Sequence, residues 1–147
     1  MPQKQDYGNH VRYYPPHHFV FYPVMMCAIS FCVSQVFISN PEHKLLWIVA
    51  AFGFVCLTWL AWMLRQHYAL VLQNRIVVLE LRYRYLAITG ERFEPLEALL
   101  SDGQLYALRF APDEELPQLA QKAVTEKLAP DEIKRQVKNW KADLRRV

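Results

Sequence analysis

Apolar residues gather in two runs, Phe19 to Ser39 and Leu45 to Leu64, separated only by Asn40-Pro41-Glu42-His43-Lys44. Neither run contains Asp, Glu, Lys or Arg. A helix rises ~1.5 Å per residue, so ~20 apolar residues cross ~30 Å of hydrocarbon, and a helix satisfies its own backbone amides in that medium. The pattern predicts an all-α membrane protein built on a two-helix transmembrane hairpin. Its segments are an N-terminal arm at 1–18, a first span at 19–39, a short external loop at 40–44 and a second span at 45–64. A cleaved signal peptide is not expected, because Phe37 occupies a position where a small residue would be needed for cleavage after Ser39. Nor is a lipoprotein signal, since Cys27 lies inside the run behind Met25-Met26.

The second span carries helix punctuation beyond its apolar stretch. Asn40 suits an N-cap, Pro41 the first helical position and Glu42 the positive helix end. No proline follows until Pro95, and Gly90 suits the residue just past a helix end. One helix is therefore expected from Pro41 to about Thr89, its 65–89 portion forming a cytoplasmic stalk. Along that portion Leu72, Ile76, Leu79, Tyr83 and Leu86 recur at spacings of four, three, four and three, a heptad seam suited to an oligomer. Leu70, Val77, Leu81 and Ile88 form a second stripe. One stripe is expected to pack against the chain's own C-terminal helices. The other is an oligomer seam, is covered intramolecularly, or lies along the lipid surface; the spacing alone leaves these open.

The first span is less regular. Pro15-Pro16 favours an extended approach, and Pro23 either bends the helix or begins it. Cys27, Ser30 and Ser34 make a small face suited to close approach by Ala50, Gly53 and Leu57. Past Gly90, residues 90–147 predict a small helical C-terminal domain. Ser101-Asp102-Gly103-Gln104 resembles a capping box, and further helices are expected to open at Pro112-Asp113-Glu114-Glu115 and Pro130-Asp131-Glu132. Leu105, Leu108, Phe110, Leu116, Leu119, Val124, Leu128, Ile133, Val137 and Trp140 are the expected covering layer.

Whole-chain composition conceals this organisation, since the mean hydropathy is −0.02. Charge is more telling. The net +3 divides into +1 over residues 1–18, 0 in the loop, +3 over 65–90, −5 over 91–121 and +4 over 122–147. Lys44 alone lies between the spans, whereas Lys4 and Arg12 precede them and Arg65, Arg75, Arg82 and Arg84 follow, a bias that puts both termini in the cytoplasm. Tyr13, Tyr14, Phe19, Phe21 and Tyr22 mark the same boundary as Trp59, Trp62 and Tyr68. Lys134, Arg135, Lys138, Lys141, Arg145 and Arg146 could meet an anionic lipid surface. Nucleic acid is the less expected partner for them, because Ile133, Val137 and Trp140 interleave as a packing face and the neighbouring acidic segment opposes a polyanion.

Chemistry-bearing motifs are absent or weak. The sequence has no P-loop, G-x-S-x-G, H-E-x-x-H or C-x-x-C. Cys27, Cys32 and Cys56 fall in the spans and read as small packing residues. His17, His18 and His67 could meet at one boundary, but no carboxylate or thiolate with ligand spacing joins them. No catalytic residue, metal or cofactor is expected.

Taken together, several segments resemble a family of small bacterial two-span membrane proteins gathered as a domain of unknown function. They are Asn9-His10-Val11-Arg12-Tyr13-Tyr14-Pro15, His18-Phe19 and Pro23, then Gln73-Asn74-Arg75. Leu108-Arg109-Phe110-Ala111, Asp113-Glu114-Glu115-Leu116-Pro117, Ile133-Lys134 and the ending from Lys138-Asn139-Trp140-Lys141 to Val147 complete the set. The chain departs from the pattern at Pro16-His17 and Pro112. The resemblance implies bacterial inner-membrane residence and no established activity. It also draws attention to Asn9, His10 and Arg12, which either hydrogen-bond to Gln73, Asn74, Arg75 and Glu80 on the stalk or are solvated.

Three functions fit. The leading expectation is a non-enzymatic scaffold or adaptor that presents a helical cytoplasmic module for self-association or for docking a membrane or cytoplasmic protein. A small oligomeric channel or transporter accessory would rely on Ser30, Ser34, Gln35 and Ser39. The third is lipid-surface or nucleic-acid binding through a basic C-terminal helix.

Overall fold

The computed structural model describes residues 5–11 and 13–143, and among them the chain forms helices and no strand. Arg12, Arg145 and Arg146, named above, lie outside the described residues. The chain divides into two compact units, a hairpin from Tyr13 to Val71 and a module that joins the N-terminal arm to the chain from Leu72 onward.

In the hairpin, π-helical turns at Pro16–Phe21 lead into helix α1, Tyr22–Ile38. The extended approach expected at Pro15-Pro16 is not formed; Pro15 already has helical dihedrals (φ −56°, ψ −43°). Proline at a helix start loses no hydrogen bond and carries a suitable φ, which favours helix once downstream turns exist. Pro23 is the second residue of α1, so the α-helix proper begins beside it, and the π-helical turns precede it. A 3₁₀ turn, Pro41–His43, precedes α2, Lys44–Met63. The Asn40 side chain makes no capping bond; its main-chain carbonyl accepts from the His43 amide at 2.9 Å. Helical runs at Pro16–Ile38 and Pro41–Thr89 are each long and apolar enough to cross a membrane, and their most apolar stretches are only 6% and 0% buried within the chain.

The contact face of α1 differs from the expected one. Cys32 is its buried residue, with Met25, Ala28, Ile29, Gln35, Val36 and Ser39 half-buried around it, whereas Cys27, Ser30 and Ser34 are exposed. On α2 the corresponding face carries Trp47, Ala50, Ala51, Phe54, Thr58 and Ala61, while Gly53 and Leu57 are exposed. The three- and four-residue alternation set the contact line, and smallness alone did not. Ser34 needs no partner helix, because its hydroxyl donates to the Phe31 carbonyl at 2.7 Å.

Leu64–Ala69 forms a second π-helical segment, followed by α3, Leu70–Thr89. Gly90 ends α3 with φ 74° and donates its amide to Leu86 at 2.9 Å, the left-handed termination a side chain would oppose. The module then contains α4, Glu94–Glu97; α5, Asp102–Leu108; α6, Leu116–Thr125; and α7, Pro130–Gln136. Its core joins Val77, Leu81 and Tyr85 of α3 to Phe93, Leu105, Leu108, Leu116, Leu119, Leu128, Ile133 and Val137. Val124 and Trp140, expected in this layer, are half-buried.

Local chemistry explains the element ends. Ser101 and Gln104 form a capping box, the Ser101 amide donating to Gln104 Oε1 at 2.7 Å and the Ser101 hydroxyl accepting from the Gln104 amide at 3.4 Å. Gln104 Nε2 also donates to the Leu128 carbonyl at 2.8 Å, tying α5 to the chain before α7. The segment from Pro112 makes a turn, and α6 itself begins at Leu116. After α6, Lys127 takes φ 51° and the Leu128 amide donates to the Ala123 carbonyl at 3.2 Å, a Schellman-type end with lysine where glycine is usual. The basic C-terminal helix is shorter than expected. Val137 is extended, and the Lys138 and Asn139 amides donate to Glu115 at 2.9 and 3.1 Å instead of continuing α7.

Candidate functional site

Helix α3 has two unlike faces. Val77, Leu81, Arg84 and Tyr85 are buried against the module. The heptad stripe is bare: Leu72, Ile76, Leu79, Tyr83 and Leu86 are 58, 63, 63, 72 and 47% exposed. Of the two stripes read from the sequence, the module therefore covers the one through Val77 and Leu81, although Ile88 at its end remains exposed. Five large side chains in one helical line are an apolar surface of the kind that marks an interaction site.

The covered face includes a cation. Arg84, 6% exposed, donates from Nε to Asp113 Oδ1 at 2.8 Å and from Nη2 to the Ala111 carbonyl at 2.6 Å, with a longer bond from Nη1 to the Arg109 carbonyl at 3.4 Å. These bonds satisfy a buried guanidinium that would otherwise be costly, and fix α3 to the turn before α6. The guanidinium holds the Asp113 carboxyl below its ordinary range, aided by Lys141 at 3.7 Å. At the solvent edge, Arg82 binds Glu97 through both carboxylate oxygens, at 2.6 and 2.7 Å. Arg92 likewise pairs with Glu94 and holds its carboxyl at about 2.

The N-terminal arm packs on the module beside the Arg109–Ala111 segment that Arg84 binds. Asp6 and Asn9 exchange bonds, the Asp6 amide donating to Asn9 Oδ1 at 2.7 Å and the Gly8 and Asn9 amides to Asp6 Oδ1 at 2.8 and 3.2 Å. This turn presents Tyr7 and His10 together, their rings stacked at 5.7 Å. His10 meets Phe110 edge-on at 5.7 Å and Trp140 at 5.8 Å, while Tyr7 lies under the Arg135 guanidinium at 5.1 Å. Gln5, 5% exposed, accepts the Asp143 amide at 2.7 Å. Arg109 completes the cluster by pairing with Asp143 at 3.0 Å and stacking over Phe110 at 4.1 Å.

The expected site residues thus fall into three settings. The heptad stripe forms one exposed line on α3. Among the arm and stalk positions, Gln73 and Asn74 are half-buried and Arg75 and Glu80 exposed, and the contacts just described carry His10 to Phe110 and Trp140. Sequence reasoning missed that tail surface; the signal available was the aromatic pair Phe110 and Trp140 with a histidine in the arm. In the basic tail Lys134 pairs with Asp131 at 3.1 Å, Arg135 covers Tyr7, Lys141 faces Asp113 and Lys138 is exposed. Among the described tail cations, Lys134 and Lys141 have carboxylate partners within the module.

In the hairpin, His17 and His18 have rings 5.4 Å apart, and His67 packs edge-on to Trp62 at 6.0 Å. Among the described residues no group of three or more His, Cys, Asp or Glu is placed to hold a metal ion.

A family described as "Family of unknown function (DUF6526)" matches residues 1–147. No curated protein and no solved structure matches the chain.

Proposed function

Taking as premise that the chain belongs to this family of unknown function, we propose that it is a membrane-anchored, non-enzymatic adaptor whose docking surface is the exposed stripe of α3. The observation that carries the proposal is that bare line from Leu72 to Leu86 on a helix whose opposite face is fixed to the module. A large apolar side chain gains ~1.5–3 kcal/mol on burial, so five in line provide a driving force for association.

The anchor is the hairpin. A pair of core helices in a water-soluble domain would be mostly covered by protein, whereas the most apolar stretches here are 6% and 0% buried, which suits lipid as their surroundings. The location proposed is the bacterial inner membrane with both termini cytoplasmic, supported by the basic residues that follow Leu64 and by Lys44 being the one cation between the spans. Neither alternative function has comparable support. The Ser34 hydroxyl is bonded to its own helix, and Lys134 and Lys141 of the tail have carboxylate partners within the module.

The test is cross-linking in cells from photoreactive residues placed at Ile76 and Leu79, with Gln118 on exposed α6 surface as control. A membrane-bound chain should form a discrete adduct from the stripe and none from Gln118. Leu72→Glu with Leu79→Glu should remove the adduct from Ile76 while leaving the chain resistant to carbonate extraction. Equal adducts from all three positions, or a chain released by carbonate, would defeat the reading.

A further inference from the structure

The stripe also indicates what covers it. Its spacing assigns Leu72, Leu79 and Leu86 to heptad position d and Ile76 and Tyr83 to position a. Leucine at d with β-branched Ile76 at the first a position is the pattern of two parallel strands, and Tyr83 at the second a position is aromatic instead. The same assignment puts Val77 and Arg84 at b, Tyr85 at c and Leu81 at f, so the residues buried in the module are those that point away from a two-stranded seam. The module and a second helix can therefore occupy α3 together.

Charge supplies the orientation. Position g holds Arg75 and Arg82, and position e holds Gln73, Glu80 and Ala87. In a parallel, in-register pair each g residue faces the e residue five places on in its partner, so Arg75 meets Glu80 of the second copy, twice by symmetry. Both side chains are exposed, and neither carries one of the ion pairs described for the module. Arg82 would face Ala87 and is already neutralised by Glu97 of its own chain. An antiparallel pair instead sets g against g and e against e, bringing arginine to arginine and glutamate to glutamate or glutamine.

We propose that the occupant of the α3 stripe is a second copy of this chain, in a parallel two-stranded coiled coil registered by reciprocal Arg75–Glu80 pairs. The proposal rests on the docking reading above and names its partner. Two heptads are short for a coiled coil formed from free peptides. Here each helix is already folded on its module, and confinement of both copies to one bilayer raises their effective concentration.

The test uses full-length chains labelled with donor or acceptor dyes and reconstituted in liposomes, with energy transfer reporting association. Arg75→Glu and Glu80→Arg should each weaken self-association on the order of tenfold, because either change turns two attractive pairs repulsive. The double variant should return to wild-type association. An equal mixture of the two single variants should pair with each other, since each supplies the charge the other needs. These positions are exposed, and an unchanged thermal midpoint checks that folding is intact. Association insensitive to the charge reversals, but lost in Leu72→Glu with Leu79→Glu, would overturn the parallel register and leave the docking reading standing. Association that survives the leucine substitutions would overturn both. A wild-type chain that does not self-associate, while its stripe still forms a cross-link in cells, would overturn the second copy as occupant in favour of a different protein.

Discussion

Truncating Arg84 would leave the Arg109 and Ala111 carbonyls and the Asp113 carboxylate without their shared donor. Arg84→Ala is expected to destabilise the module by about 2–4 kcal/mol, read from thermal unfolding in detergent, with Arg84→Lys intermediate because an ammonium cannot form the fork. Asp113 gives the interaction a pH signature. Its folded carboxyl lies below the ordinary 3.8, so its stabilisation is complete above that value and is lost as the pH falls through the depressed folded value. The thermal midpoint should fall as the pH drops below about 3.8, and Asp113→Asn should remove part of that fall. Arg84 shows where local reading stops. Its place on the Val77 and Leu81 stripe is visible in the sequence, but its acceptors lie 25 to 29 residues later, beyond any helical period.

At the scale of elements, periodicity carried most of what could be read. It gave the two α3 stripes, while the proline-free run between Pro41 and Gly90 gave the long helix ending at Thr89 and the capping-box pattern located the start of α5. It did not choose the covered stripe, because that depends on how α5, α6 and α7 assemble. The small face assigned to Cys27, Ser30 and Ser34 was misplaced for a related reason, residue size having been weighed above the three- and four-residue alternation through Cys32. The end of α7 depended on Glu115, whose carboxylate captures amides 23 and 24 residues away. A local test lies at the end of α6. Lys127 holds a left-handed conformation that glycine adopts without steric cost, so Lys127→Gly should stabilise the module by about 0.5–1 kcal/mol in chemical denaturation. Loss of stability on that substitution would show that the lysine side chain contributes more than its backbone conformation costs.

At the scale of the whole molecule, the module is assembled from the two ends of the described chain, with the hairpin lying between them in sequence. The arm is held by Gln5, Tyr7 and His10 against Phe110, Arg135, Trp140 and Asp143. Tyr7→Ala should loosen this clasp by about 1–2 kcal/mol, raising hydrogen exchange of the arm amides roughly 5- to 30-fold while α3 and α6 exchange as before. An unchanged arm would mean that Gln5 and His10 suffice. The hairpin was legible from apolar length alone, whereas the clasp was not, because a histidine in the arm does not by itself single out partners a hundred or more residues away.

That clasp imposes an order on biosynthesis. Asp143 follows Gln5 by 138 residues, and at roughly 5–20 residues per second the interval is on the order of ten seconds. Throughout that time Tyr7 and His10 lack the tail surface that will hold them. A chain whose translation stops before Trp140 keeps its apolar hairpin but lacks Trp140 and Asp143, two of the residues that hold its arm. The full set of arm contacts can thus form only once residue 143 has been made.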